Sequence, residues 1–504
     1  MNASTYQLTA PTIRRVPSAH LPCEGFSVQG VALKAIAAFG LILVNKLGLP
    51  GNILFFAIVM AMIMAGTPRA AVMGMTLALL ALCANTAFVV KTAVWTIARF
   101  INIFMFSGRF VVIESRDNRW LTSPSYVSLL AFVIVAACCS LASGYYVHIA
   151  MLKLFSFWIG MTGFFACIHT LRRKHIDVTE WFVAQAAAVC LMCAASLALG
   201  VAANFKEGMV AKGLHNLGFY HSQSMGPAAA LLCAYLASVY LFAGHRNRWI
   251  CLPLIGFLLY CLYLSGSRTG LGALIAGLAT LGLLVAIRLS SRSQKLRLNV
   301  GRLNLLGLVA LGCVSVAALD ITTGGRLTVG LVSFLAKKGR DVEAVSLDDA
   351  LSTRLGSIEL SYHNFKQSPV FGIGFQVATT DFFKENASLF YAPVEKGFLP
   401  TAVLEEVGLV GTTFFVVFLT CLFYELIRDR NVPGTIMFVT MLVSNLGEAS
   451  FFALAGHGAY AWMLVTAGIV LGDRCFIDSR ARRPTYATAH FSEHVALAIP
   501  RAIT

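Results

Sequence analysis

The chain is expected to fold as an all-α, polytopic membrane protein, a helical bundle of about 12–14 spans with one large extramembrane loop. Three observations predict this. Of its 504 residues, 58% are hydrophobic and only 12% charged, and the mean hydropathy is +0.76. Such a balance leaves too little polar surface for a soluble domain. Apolar runs of spanning or near-spanning length recur along most of the chain. Finally, 39 Lys and Arg stand against 23 Asp and Glu, a formal net charge of +16. The basic residues fall in short breaks between apolar runs: Arg172 to Lys174, Arg246 with Arg248, Arg288 to Arg302, Arg428 with Arg430, and Arg480 to Arg483. That distribution is the positive-inside pattern of a membrane protein, and it argues against a nucleic-acid partner.

The spans are expected near 31–46, 51–66, 70–90, 93–114, 125–145, 148–170, 179–203, 225–243, 249–265, 268–287, 303–319, 398–424, 433–447 and 455–472. The segment 93–114 carries Arg99 and Arg109. Counting it as a span puts both termini and every basic cluster on one face, which decides the reading in its favour. Residues 1–28 are polar, contain Pro11, Pro17 and Pro22, and lack the apolar core of a signal peptide, so the run beginning at Val31 should stay in the membrane.

This gives a tail over 1–28, a membrane bundle over 29–319, a loop over 320–397, membrane helices over 398–472 and a basic tail over 473–504. The thirteen cysteines sit almost wholly in apolar runs, with none between Gly324 and Gly397, and read as small packing residues. Cys190 and Cys193 have redox-pair spacing but lie mid-span. No histidine pair has metal-ligand spacing and no nucleotide fingerprint is present, so neither a metal nor a cofactor is expected.

The parity places Asn204 to Ser224 and the 320–397 loop on the face opposite the basic clusters. Arg268, in Leu264-Ser-Gly-Ser-Arg-Thr-Gly-Leu-Gly, ends a span on that face among small residues. An ionisable group there points to a substrate, and a guanidinium fork suits phosphate or pyrophosphate. The alternative is an arginine anchoring a helix end in headgroups. Through Ala350 to Phe365 the residues Leu351, Leu355, Ile358, Tyr362 and Phe365 share a helical face. Glu405 and Glu406 open an apolar helix, where carboxylates need partners or a cavity. Arg268, Arg354 and Lys396 are available to them. His221 precedes a span on the same face and is a candidate substrate contact, whereas His363 reads as a surface or packing residue.

Four motifs then occur in a fixed order. They are Ser267-Arg-Thr-Gly, Ser352-Thr-Arg354, Ser368-Pro-Val-Phe-Gly-Ile-Gly-Phe375 and Leu404-Glu-Glu-Val-Gly-Leu-Val-Gly411. Together with Gly218-Phe-Tyr220-His221-Ser-Gln-Ser-Met-Gly226 and Asn445-Leu-Gly-Glu448, they resemble the O-antigen ligase and polysaccharide polymerase superfamily over residues 205–450.

The resemblance implies a fold similar to the lipid-dependent glycosyltransferases. It implies transfer of a glycan from undecaprenyl pyrophosphate on the periplasmic face of the bacterial inner membrane, without metal or nucleotide. Arg268 and Arg354 would hold the donor pyrophosphate. Tyr220, His221, Ser267, Lys396, Glu405, Glu406 and Glu448 would line the substrates. Partners implied are the lipid-linked oligosaccharide, membrane lipid, a chain-length regulator and a flippase.

Where ligases of the family carry His-Asn-x-x-Leu, this chain reads Glu395-Lys-Gly-Phe-Leu399. The substitution favours a polymerase over a ligase and makes Glu395 a candidate general base. A salt bridge from Glu395 to Lys396 or Arg354 is the other reading. A transporter would instead call for a charged, broken path at mid-membrane. The topology is checked by compartment-specific reporters fused at Lys337 and Lys295. They are expected to report opposite compartments, and a shared one overturns the map.

Overall fold

The computed structural model describes residues 26–114, 118–143, 146–201, 203–204, 214–215, 217–219, 222–243, 247–290, 358–377, 397–447, 449–454 and 456–481. The fold is all-α. Helices run over Val28–Val44 (α1), Leu49–Met64 (α2), Pro68–Cys83 (α3), Ala93–Gly108 (α4), Pro124–Ser143 (α5), Val147–Arg173 (α6) and Thr179–Ala198 (α7). Then come Ser222–Phe242 (α8), Cys251–Ser265 (α9) and Arg268–Ser290 (α10). They are followed by a short helix over 358–367 (α11), and by Leu399–Arg428 (α12), Val432–Ser444 (α13) and His457–Ala481 (α14). The extended backbone is slight: Ala203–Asn204 pairs antiparallel with Leu214–His215, and Ala84 bridges Phe219.

Seven of the described helices are long and apolar enough to cross a membrane, and four more are apolar but shorter. The chain is therefore a multi-pass membrane protein. The expected span at 70–90 ends as a helix at Cys83, and the expected span at 303–319 lies outside the described residues.

Polar contacts at the helix ends sort into two sets, one at each end of the bundle. At what we call the upper end, Val90 N–H donates to the Asn45 carbonyl (3.3 Å), Asn52 Nδ2 donates to the Val90 carbonyl (2.9 Å), and Asn85 N–H donates to the Gly218 carbonyl (3.0 Å). At the lower end, Asn247 Nδ2 donates to the Phe26 carbonyl (2.8 Å), Arg172 Nη2 donates to Asp473 (3.0 Å), and Lys174 pairs with Glu114. A π-helical turn, Arg109–Glu114, continues α4 at that end.

The segment with two arginines thus runs from one end of the bundle to the other. It begins beside Asn52 at the upper end. It finishes where buried Arg109 donates to the Ile63 carbonyl (3.1 Å) and the Gly66 carbonyl (2.7 Å) and pairs with Glu114 (2.7 Å). Those carbonyls close the C-terminus of α2, where a cation is favoured by the helix dipole.

Two non-helical segments enter the bundle from the upper end. Phe375 of one, and Phe451 and Phe452 of the other, join Phe132 of α5, Phe157 of α6 and Phe415 of α12 in an aromatic knot with ring centroids 5.0 to 6.4 Å apart. Irregular backbone at this depth is tolerated only where protein buries it and satisfies it.

That satisfaction is visible at a break in α12. Gly408 has φ 63° and ψ −168°, and the helix ladder stops across it. The break frees the carbonyls of Glu405 and Glu406 and the amides of Leu409 and Val410, which an unbroken helix would pair i to i+4. The turn over 369–374 takes up all four. Ile373 N–H donates to the Glu405 carbonyl and Gly374 N–H to that of Glu406, both at 2.9 Å. Leu409 N–H donates to the Pro369 carbonyl (2.9 Å) and Val410 N–H to that of Val370 (3.3 Å).

Such close backbone packing needs glycine on both sides. Gly372 has φ 71°, and a β-carbon on it would stand 2.5 Å from the Glu406 carbonyl carbon. A β-carbon on Gly408 would collide with the Val370 carbonyl. Gly408→Ala is expected to lower stability by roughly 1–3 kcal/mol through strain and loss of this clasp. Gly256→Ala, in α9 with open space around it, should be neutral or gain up to ~1 kcal/mol of helix propensity. Thermal unfolding in detergent followed by size-exclusion chromatography compares them. Equal midpoints for the two variants would remove the clasp as a determinant of the fold.

Candidate functional site

The upper end gathers the motifs that the sequence spaces far apart. α9 closes on Gly266, which has φ 64° and whose N–H donates to the Tyr263 carbonyl (3.1 Å). Ser267 then caps α10, its Oγ accepting from Gly270 N–H (3.2 Å). Arg268 is the first residue of α10 and is half-buried.

Glycines bring two further motifs against this tight hairpin. Gly226 of α8 lies so close to Ser267 that a β-carbon would overlap its hydroxyl, and Gly270 approaches the Gly226 backbone, with 2.7 Å between a built β-carbon and the carbonyl carbon. On the other side, Gly447 lies equally close to Thr269. Arg268 is therefore flanked by the first turn of α8 and by the turn after α13.

The same turn reaches the carboxylate-bearing helix. The Asn445 carbonyl accepts from Leu399 N–H (3.1 Å), the first residue of α12. Asn445 is buried and rigid, its Oδ1 accepting from Ser450 N–H (2.8 Å) and its Nδ2 donating to the Met441 carbonyl (2.8 Å). The 445–447 turn thus ties the start of α10 to the start of α12.

Glu405 and Glu406 are both buried, two turns into α12 and just before its break. Asn364 Nδ2 donates to Glu405 Oε1 (2.8 Å), and Asn364 is itself buried. Glu405 is consequently held twice by the loop, at its carbonyl by Ile373 and at its side chain by Asn364. The turn that does this is anchored to the bundle: Phe375 N–H donates to Ser140 Oγ (3.0 Å), and Lys153 Nζ donates to the Gln376 carbonyl (2.7 Å).

Of the residues chosen from sequence, Arg268, Ser267, Glu405 and Glu406 are described. Ser267 and Arg268 share one turn, the two glutamates share another, and the 445–447 turn links them. Tyr220, His221, Arg354, Glu395, Lys396 and Glu448 lie outside the described residues. Their neighbours are placed: Phe219 is fully buried, Gly218 N–H donates to Ser196 Oγ (3.0 Å), and Gly447 adjoins Thr269.

One helical face differs from the expectation. In α11 the buried residues are Ser361 and Asn364, while Tyr362 is half exposed, stacked on Phe365 and beneath Lys366 Nζ (4.5 Å from the ring centre). The apolar period drew attention to Tyr362. The helix instead turns a polar pair inward because a buried carboxylate awaits it. Asn364 was therefore missed, and the Ser361/Asn364 spacing of three was the signal that could have found it. Among the described residues, no group of three or more His, Cys, Asp or Glu is placed to hold a metal.

A family model described as O-antigen ligase matches residues 253–416. The match runs from α9 through the Arg268 hairpin and both halves of the clasp, and it supports the likeness to the O-antigen ligase and polysaccharide polymerase superfamily read from the motifs. No curated protein matches the chain.

The Asn364–Glu405 bond is open to a double-mutant cycle. Asn364→Leu should cost about 1.5–3 kcal/mol, since it removes a donor from a buried carboxylate. Asn364→Leu combined with Glu405→Leu should cost less than the two singles added, by ~1 kcal/mol or more. Additivity to within ~0.3 kcal/mol in thermal or denaturant unfolding would show the pair to be energetically independent.

Proposed function

Taking residues 253–416 as a segment of O-antigen ligase type, we propose that the chain is a membrane glycosyltransferase that polymerises an exopolysaccharide or O-antigen. It moves a glycan from an undecaprenyl pyrophosphate carrier to a lipid-linked repeat unit, on the periplasmic face of the bacterial inner membrane. The observation that carries this reading is the setting of Arg268. It stands at the N-terminus of α10, against the N-terminal turn of α8, with the carboxylate-bearing helix tied in through the 445–447 turn.

Helix N-termini carry partial positive charge and free N–H donors, which favour an anion. α8 and α10 meet there through Gly226 and Gly270, so two such ends and a guanidinium converge on one place. In the reaction an acceptor hydroxyl attacks the anomeric carbon, the bond from that carbon to the pyrophosphate oxygen breaks, and undecaprenyl pyrophosphate departs. Negative charge grows on the leaving oxygen as this happens. Arg268, joined by Arg354, neutralises that charge, and a carboxylate takes the hydroxyl proton. Glu395 is the proposed base, with Tyr220, His221, Ser267, Lys396, Glu405, Glu406 and Glu448 along the substrates.

A ligase that delivers the glycan to the lipid A core is the second reading, favoured by the description of the matching family. Glu395-Lys396 in place of the ligases' His-Asn inclines the assignment to the polymerase. Deleting the gene separates the two. Loss of polymer length with core-linked single units retained identifies a polymerase, and loss of all core-linked glycan identifies a ligase.

With purified protein and lipid-linked repeat units, Arg268→Ala should lower the initial rate by about 10²–10³-fold at normal folded yield. Arg268→Lys should recover little, because lysine lacks the bidentate fork. Glu395→Gln should lose ~10²–10⁴-fold with donor binding kept. A full rate for well-folded Arg268→Ala would reduce that arginine to a headgroup anchor.

A further inference from the structure

The clasp at Gly408 has an outer face that the site does not use. On the inner side of the turn, Gly372, Ile373 and Gly374 are buried against Glu405 and Glu406. On the outer side Val370 and Phe371 leave 47% and 45% of their surface uncovered. Two large apolar side chains in succession on a loop call for an apolar partner.

The segment to which they are bonded identifies that partner. α12 changes its surroundings at the break. Ala402, Val403 and the run Glu405 to Gly408 are buried, whereas Leu409, Val410, Phe414, Val416 and Val417 are exposed. α12 is one of the helices long and apolar enough to cross a membrane. Apolar side chains that a membrane bundle leaves uncovered meet lipid tails, so this stripe is the lipid side of the helix. Leu409 and Val410 head the stripe, and their amides are the two that the Pro369 and Val370 carbonyls accept. Val370 and Phe371 thus carry the lipid-facing surface across the break, from a helix onto a loop.

The backbone of the turn suits that place. Chain can approach hydrocarbon only where its polar groups are met. Pro369 has no N–H, α12 takes the Pro369 and Val370 carbonyls, and the Ser368 carbonyl accepts from Gly372 N–H (2.8 Å).

α11, which leads into the turn, gives a second, independent sign. Its inner side holds Ser361 and Asn364. Its outer side exposes Glu359, Tyr362, His363 and Lys366, with Lys366 Nζ over the Tyr362 ring. A tyrosine with a lysine suits the membrane–water boundary, where the ring lies among headgroups and the ammonium reaches phosphate. Exposure therefore passes from polar and aromatic on α11 to wholly apolar at residues 370–371, beside the start of the lipid-facing stripe.

We propose that Val370 and Phe371 insert among the acyl chains of the leaflet at the upper end, with Tyr362 and Lys366 at the level of its headgroups. The loop half of the clasp, which fixes the carbonyls of Glu405 and Glu406, is then part of the membrane interface. This requires a multi-pass chain and is independent of the transferase reading.

The test places full-length Phe371→Trp in nanodiscs of phosphatidylcholine brominated on its acyl chains near the headgroup. Emission of the added tryptophan is the difference from the natural protein, which carries six others. It should lose most of its intensity relative to unbrominated discs and resist aqueous acrylamide. Val410→Trp sets the level for a position in contact with lipid. Glu359→Trp, on the polar side of α11, should respond to acrylamide and little to bromine. Val370→Trp serves where Phe371→Trp fails to fold.

Quenching of the tryptophan at 371 by acrylamide and not by bromine would place the turn in water and overturn the proposal. Indifference to both would show that protein covers the face, and would overturn it equally. The discs hold no polyprenyl lipid, so quenching by bromine assigns the face to acyl chains. Recovery of emission on adding undecaprenyl phosphate would give the face to an isoprenoid tail and overturn the assignment to the bilayer.

Discussion

Four backbone hydrogen bonds between the 369–374 turn and the break at Gly408 are the constraint on which the upper end of this protein depends. Inside a bilayer an unsatisfied amide or carbonyl costs several kcal/mol. A break in a membrane helix that strands two of each would be prohibitive alone. Here all four of these groups have partners in one turn. The positive φ angles of Gly372 and Gly408, and the contact between their backbones, are requirements of that pairing. Once it forms, the Glu405 carbonyl is fixed, the Glu405 carboxylate meets Asn364, and Phe375 is delivered into the aromatic knot.

The Arg268 side is built on a different principle. Its geometry comes from the absence of side chains at Gly226, Gly270 and Gly447, which lets three segments approach to backbone distance. The result joins two helix N-termini and a guanidinium without spending a polar side chain on the join. The two halves meet through Asn445, whose carbonyl receives the first amide of α12 while the glycine two residues on touches α10. Positive ends and buried carboxylates are thereby brought to one end of the bundle but held on separate supports. At the lower end several contacts carry charge, as with Arg109 on the α2 carbonyls and Arg172 on Asp473, and they secure the bundle where the sequence places its basic clusters.

Much of this was legible in the sequence because membrane burial leaves loud signals. Apolar runs gave the helices, and the contacts at Asn52 and Arg109 place the two ends of α4 at opposite ends of the bundle. The glycine-bearing motifs were recognisable in order, but spacing alone could not say that Ser-Pro-Val-Phe-Gly and Leu-Glu-Glu-Val-Gly complete one another's hydrogen bonds. That pairing spans a long stretch of chain and involves backbone atoms, which carry no residue identity. The inward face of α11 was misread for a related reason. A hydrophobic period finds the side of a helix that meets hydrocarbon or core, and it misses a side that turns inward to satisfy a carboxylate.

The break in α12 also divides that helix into parts with different requirements. The portion after Gly408, residues 409–428, is about 30 Å long at 1.5 Å per residue, the thickness of a bilayer's hydrocarbon core. It can partition into lipid as an ordinary span when the chain is made. The nine residues before the break are too short to do so and carry two glutamates. Their backbone is completed only by the 369–374 turn, through the carbonyls of Glu405 and Glu406, so it belongs to the assembled bundle and not to the isolated helix. One helix in the chain thus carries two kinds of membrane segment, one that hydrocarbon alone can hold and one that only protein can.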